Sequence, residues 1–462
     1  MMPTITKNTF FQYLKCPSWV KHASESPEVL NSLRVRLQQD GLLKENLRTI
    51  IADRKFFEVE ADDLEEGEIQ TINAMRAGVP SIFGGTLIFD RLVAQPDLLE
   101  RVEGKSNFGD YYYIACDVKR TKHLKEEYKI QGCFYAEVLK FVQGVKPKQG
   151  YLMRPNGEIT SYLLEEIEEK YYLTLDGIER ILHGEDEPHF LTSECKQSPW
   201  FSKCREAAIF NDDLSRINRI WRSEVKDLMA AGYDTISKLA EAHPDRLGVV
   251  VTGLSRERLE FLRAQAQALA SGRHQILGKI DLPFDENYLV VDIESDPLRD
   301  LDYLFGVLVV DGDKTEYHSF VASKPEEEER AWKECLEFLR RYAGWTIYHY
   351  GYSEIDTFKH LLERYGGEPE IFQDLSERSV DLLIRLRESV IFPVSFYSLK
   401  DLAHFIGFNW RHPEASGLNS VLWYEEFLST GDQGLLEDIV KYNEDDVLAT
   451  ERLIKWAKKA AV

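Results

Sequence analysis

The sequence predicts an α/β protein of several domains, and three observations carry that reading. Tyr288–Glu294 reads Tyr-Leu-Val-Val-Asp-Ile-Glu, an aliphatic run that marks a buried strand ending in two acids. Leu436, Ile439, Val440, Val447, Leu453 and Ile454 recur at helical spacing, which puts Tyr442 and Asp446 four apart on one helix face. Between residues 81 and 119, short strand-like runs lead into a helical pattern from about Glu126 through Phe134, Val138 and Leu139. At 462 residues the chain is long enough for two or three domains with their own cores.

Composition narrows the class. No run of 18 or more apolar residues is present, and the start, Met-Met-Pro-Thr-Ile-Thr-Lys, lacks the apolar segment of a signal peptide. A cytoplasmic protein without a membrane partner is expected. Six cysteines scattered over so long a chain do not form a disulfide framework. A net charge of −22 argues against indiscriminate coating of nucleic acid, because phosphate affinity comes from Lys and Arg. Any nucleic-acid contact must be local.

Taken in order, residues 4–20 hold an amphipathic segment ending at Cys16-Pro17. A helical stretch follows through Leu30, Leu33, Leu37, Leu42, Leu43 and Leu47, carrying Glu45. A helix stops at Gly78. Strands are expected at Ser81–Phe83, Thr86–Val93, Asp97–Val102 and Tyr111–Lys119, then the helix carrying Gln131 and Tyr135. Cys195, Ser198, Trp200 and Cys204 cluster next. Residues 212–275 read as a small helical element in which Ser255 caps a helix, and Gly278–Asn287 reads as a linker. Strands follow at Tyr303–Val310, Thr315–Val321 and Trp345–Gly351, the last leading into Glu354 and Asp356 at a helix start. Ser323-Lys-Pro325-Glu326 has capping-box spacing, and its four consecutive Glu read as a solvated helix start.

Strand side chains alternate, so Asp292 and Glu294 share a face while Ile293 packs behind them. Two carboxylates there repel each other unless a cation lies between them, and a hard divalent ion, Mg²⁺ or Mn²⁺, suits oxygen donors. Alone, the same spacing also describes two solvated strand-end acids.

Asp-Ile-Glu on a first strand, an acid after the fourth, and Tyr442-xxx-Asp446 on the last helix resemble the DEDDy 3′–5′ exonucleases of the RNase H-like superfamily, over about residues 288–457. That family usually places an Asn before its second acid. Aligning Tyr350 with this Asn puts Glu354 in the acid's place, with Asp356 as the fallback. Asp381 is then structural or lines the cleft, and Tyr397-Ser-Leu-Lys400 is a further landmark of such domains.

The first part of the chain resembles the RecB-like branch of the PD-(D/E)XK restriction-endonuclease-like fold. The resemblance implies metal ligands at Asp97, Asp117 and Glu45, a catalytic Lys119 in Asp117-Val-Lys119, and supporting Gln131 and Tyr135. Lys44 departs from it, standing where that branch often has a metal-binding His. Cys16, Cys195 and Cys204 resemble three corners of the four-Cys iron–sulfur staple found in some of these nucleases, with Ser198 at the fourth position. Either they hold a 4Fe–4S cluster with an oxygen ligand, or the staple has decayed into packing. Residues 212–275 resemble a helix-hairpin-helix module, which contacts phosphates through backbone N–H groups.

The whole order resembles the bacterial RecB-like nucleases. It implies a RecB-like domain at 1–210, a helical hairpin module at 211–277 and an RNase H-like mixed-sheet domain at 285–462. The implied function is metal-dependent hydrolysis of DNA or RNA phosphodiester bonds at single strands or 3′ ends, with a 3′–5′ exonuclease-like site in the last domain and a RecB-like site in the first. The alternative is a nucleic-acid-binding or scaffold protein whose sites are vestigial.

Overall fold

A computed structural model describes residues 3–25, 56–119, 124–154, 157–185, 189–297, 299–351, 353–367, 369–412 and 416–461. Lys44, Glu45 and the leucine-rich stretch around them lie outside the described residues. The chain divides into two compact units, Met1–Ala207 and Ala208–Val462. Among the described residues no helix is long and apolar enough to cross a membrane.

In the first unit, β1 (Ile5–Thr6), β4 (Leu87–Phe89) and β5 (Leu92–Ala94) form a small sheet in the order β1-β5-β4. The larger sheet runs β2-β3-β6-β7-β8-β9, from β2 (Phe56–Glu58), β3 (Ser81–Phe83), β6 (Leu98–Ser106), β7 (Gly109–Val118), β8 (Gln149–Met153) and β9 (Ile159–Leu163). Its long central pair, β6 and β7, is antiparallel. The helix Glu126–Gln143 buries Ile130, Phe134, Val138 and Leu139 in the core with Phe10 and Tyr171. Gly132 permits this approach, since a Cβ there would stand 2.1 Å from the Tyr162 hydroxyl.

In the second unit, a five-stranded sheet has the order β13-β12-β11-β14-β15. Its members are β11 (Asn287–Asp296), β12 (Leu301–Asp311), β13 (Lys314–Val321), β14 (Thr346–His349) and β15 (Ser379–Asp381). The first three pair antiparallel, while β14 lies parallel to β11 and β15 parallel to β14. Period-2 alternation divides the aliphatic run of β11 between two cores. Leu289 and Val291 pack with Trp332, Phe358 and Ile439, whereas Tyr288 and Val290 pack with Leu386, Val447 and Leu453. The last helix, Gln433–Ala460, thus contributes to both. The helices between residues 222 and 271 belong to this unit, where Asn218 Nδ2 donates to the Ser395 carbonyl at 3.0 Å.

Four expectations change. Thr86–Val93 is two strands, because Asp90 takes a left-handed φ of 53° and turns the chain. Gly278–Asn287 is no loose linker: Ile280 and Leu282 are core residues, and β10 (Gln275–Ile276) pairs with β16 (Val390–Ile391). The Ser323 N–H is accepted by Glu327, not Glu326. Among the four consecutive Glu, Glu328 is buried rather than solvated, accepting from the Asp302 N–H, Arg364 and Tyr365. The helix turns it inward toward these donors, which composition alone did not disclose.

Candidate active site

Asp292 and Glu294 project from β11, opposite Gly306 and Leu304 of β12. The strand runs on to Asp296 through an irregularity after Glu294, so the acid pair precedes its end. The last helix delivers Asp446 to them. One carboxylate oxygen from each of Asp292, Glu294 and Asp446 lies within 4.8 Å of the others. Among the described residues this is the group of His, Cys, Asp or Glu side chains that converges so closely.

The acid run on the last helix is partitioned by its helical turn. Glu444 and Asp445 are bound by Arg411, at 2.7 and 2.8 Å, while Asp446 faces the site. There it accepts the Trp410 indole N–H at 2.6 Å and a hydrogen bond from the Tyr442 hydroxyl. Glu354 opens the helix Ser353–Tyr365, buried, with its Oε2 3.4 Å from His349 Nδ1. Its charge reaches Asp292. Asp356, by contrast, is exposed. Asp381 caps the helix Leu382–Ser389, accepting from the Leu383 and Ile384 N–H groups and from that of Gly351.

Carboxylates this close resist ionisation together. Burial first, then the charges of Asp446, Glu294 and Glu354, push Asp292 well above the usual carboxylate range. Glu294 is pushed up to about 8 by burial and by Asp446, against hydrogen bonds from Ser420 and Asn443. Burial raises Asp446 to about 7, against the Trp410 and Tyr442 hydrogen bonds. A divalent cation would relieve this repulsion, and three convergent oxygen donors suit a hard one.

Sequence reasoning missed Asn443. Fully buried, it donates to Asp292 Oδ2 at 2.7 Å and accepts from the Tyr317 hydroxyl at 2.9 Å. The available signal was Gly306 within a β-rich run. A Cβ at that position would stand 1.7 Å from Asn443 Oδ1, so the missing side chain makes room for the amide.

A second acid pair lies in the first unit. Asp97 precedes β6, and Asp117 lies near the end of β7. Asp97 Oδ2 accepts the Val118 N–H at 2.9 Å, and its own N–H donates to Asp117 Oδ1 at 3.2 Å. Gln131 donates to the Tyr135 hydroxyl at 2.6 Å, which in turn donates to Asp117 at 3.2 Å. Lys119 stands 3.5 Å from Asp117, and Lys7, which the sequence did not single out, stands 4.0 Å from Asp97. Burial and Asp117 push Asp97 up. Asp117 is held down despite its burial, chiefly by Lys119 and Lys7.

The cysteines are all buried, and the Cys16 and Cys195 thiols hydrogen-bond each other. Cys204 Sγ instead lies 3.7 Å from His22 Nε2, and Ser198 Oγ accepts the Trp200 N–H at 3.1 Å. The charge of Cys195 also acts on Cys204, whose thiol is pushed up to about 11 chiefly by burial.

Residues 289–458 match the family model of the RNase H superfamily. No curated protein matches the chain. A domain of this superfamily points to nuclease-type, metal-dependent phosphodiester hydrolysis on a nucleic acid.

Proposed function

We propose that the second unit is a 3′–5′ exonuclease-type site, with Asp292, Glu294 and Asp446 as ligands to Mg²⁺ or Mn²⁺ and Glu354 as the fourth acid. The convergence of three carboxylate oxygens within 4.8 Å carries this reading. When bound, divalent ions supply charge stabilisation at the attacking and leaving oxygens. The chain's own residues prepare the site. Asn443 fixes the Asp292 carboxylate, Trp410 fixes that of Asp446, and the Tyr442 hydroxyl, tethered to Asp446, orients the attacking water. The substrate is a single strand or 3′ end of DNA or RNA, in the cytoplasm.

The test is incubation of the full chain with Mg²⁺ or Mn²⁺ and end-labelled single- and double-stranded DNA and RNA. Stepwise 3′ shortening is expected from the wild type and should be lost in Asp292→Ala. Shortening by Asp292→Ala at the wild-type rate overturns the assignment.

For the first unit we infer a platform that holds nucleic acid, on a RecB-like fold. Lys7 and Lys119 already balance Asp97 and Asp117, which favours holding over cutting. Cleavage that survives Asp292→Ala but stops in Asp292→Ala/Asp117→Ala would make it a second nuclease.

A further inference from the structure

We propose that the first unit's acid pair is closed to divalent metal by the chain's own Lys7, whose ammonium is the resident cation of Asp97 and Asp117. This goes beyond the platform reading, which holds with or without metal at these acids. Backbone pairing sets Lys7 in place. Ile5 and Thr6 pair in parallel with Leu92 and Val93, and the Ile5 N–H donates to the Arg91 carbonyl at 2.8 Å. Ile5 is fully buried, which anchors the segment. Lys7 then opens the helix Lys7–Lys15 just where the strand Leu92–Ala94 leads on to Asp97. Its Nζ lies 4.0 Å from Asp97 Oδ1, with the two side chains 22% and 13% exposed. Its charge favours the ionised form of both Asp97 and Asp117.

Every oxygen of the two carboxylates faces a donor. Asp97 Oδ2 accepts the Val118 N–H at 2.9 Å, and its Oδ1 faces Lys7. Asp117 Oδ1 accepts the Asp97 N–H at 3.2 Å, while its Oδ2 faces the Tyr135 hydroxyl at 3.2 Å and Lys119 at 3.5 Å. A hard divalent ion takes oxygen lone pairs directly, so it would have to displace these donors. It would also enter against two ammonium groups, Lys119 at Asp117 and Lys7 at Asp97. Like charges near a protein surface repel about four times as strongly as in bulk water. The residues present therefore do not fit the ion that a RecB-like fold implies. Lys119 belongs to that implied pattern and is compatible with metal there; Lys7 is the added charge, and removing it should open the pair.

The test is Mn²⁺ titration of the full chain by calorimetry, in an Asp292→Ala background that removes a ligand of the second unit's centre. With Lys7 intact, adding Asp117→Ala should leave the isotherm unchanged. Lys7→Met keeps the aliphatic stem and should raise the affinity of the acid pair for Mn²⁺ at least about tenfold, a modest share of the repulsion removed. That gain should vanish in Lys7→Met/Asp117→Ala, and Lys7→Arg, which keeps the charge, should not show it. A folded Lys7→Met that gains no Mn²⁺ binding overturns the proposal. So does Asp117→Ala removing Mn²⁺ binding while Lys7 is intact, a comparison that stands even where the Lys7 variants fail to fold. Each comparison is a difference within one background, so it holds whether or not Asp292 binds metal.

Discussion

Each unit brings acids together beside its central strands, yet the two differ in counter-charge. In the first, Asp97 and Asp117 face Lys119 and Lys7, two ammonium groups for two carboxylates. In the second, Asp292, Glu294 and Asp446 converge with Lys400 acting on the last two, while Glu354 lies beside His349. The pKa directions differ accordingly: in the first pair Asp117 is held down while Asp97 is pushed up, whereas in the second Asp292, Glu294 and Asp446 are all pushed up. The balance of charge around two close acids sets how strongly they call for a cation.

The widest separation between the units should appear in activity. Asp446→Ala should lower 3′ shortening at least about 10³-fold, the scale on which removing a catalytic group acts, whereas Asp117→Ala should leave it within a few-fold. Equal losses from the two would erase the distinction. Tyr442→Phe should slow the reaction about 10–100-fold, less than a typical oxyanion donor, with Mn²⁺ binding kept.

Stability gives the next contrast. Gly306→Ala should destabilise by about 1–3 kcal/mol through overpacking against Asn443, measured by urea unfolding; an unchanged midpoint would show that the amide moves aside freely. The acid centre should also make the response to metal depend on pH. Unfolded carboxylates titrate near 4, whereas Glu294 and Asp446 titrate near 8 and 7 in the fold. The metal-free fold therefore loses stability as pH rises from about 4 to about 8, and a bound cation offsets that loss. Saturating Mg²⁺ should raise the Tm more at pH 8.5 than at pH 5.5, and a shift of equal size at both would count against the triad as ligands. The smallest effect concerns the thiols. Anaerobically purified protein should be colourless if Cys16, Cys195 and Cys204 only pack, and brown with iron and acid-labile sulfide if they hold a cluster.

Much of the second unit was legible in the sequence. The aliphatic run before Asp292, the four-residue step from Tyr442 to Asp446 and the strand before Glu354 each announced a local structure that the fold contains. What stayed hidden depends on the third dimension. Asn443 reads as one more polar residue on a helix until Gly306 is seen opposite Asp292. Glu328 reads as one of four solvated acids until Arg364 and Tyr365 close on it. Lys7, remote in sequence from Asp97, offered no local signal at all. Local period was readable, but the partner of a buried polar group was not.

The fit of Asn443 against Gly306 has a consequence for assembly. Asn443 lies 151 residues after Asp292 in the chain and arrives with Asp446 on the helix Gln433–Ala460. Closing so long a loop is a late, non-local event. A nascent or truncated chain that stops short of residue 443 holds half of an acid centre, without the amide that fixes Asp292 or the third carboxylate. Docking of that helix therefore completes the acid centre: until it packs against the sheet, the second unit lacks both the amide beside Asp292 and the third carboxylate.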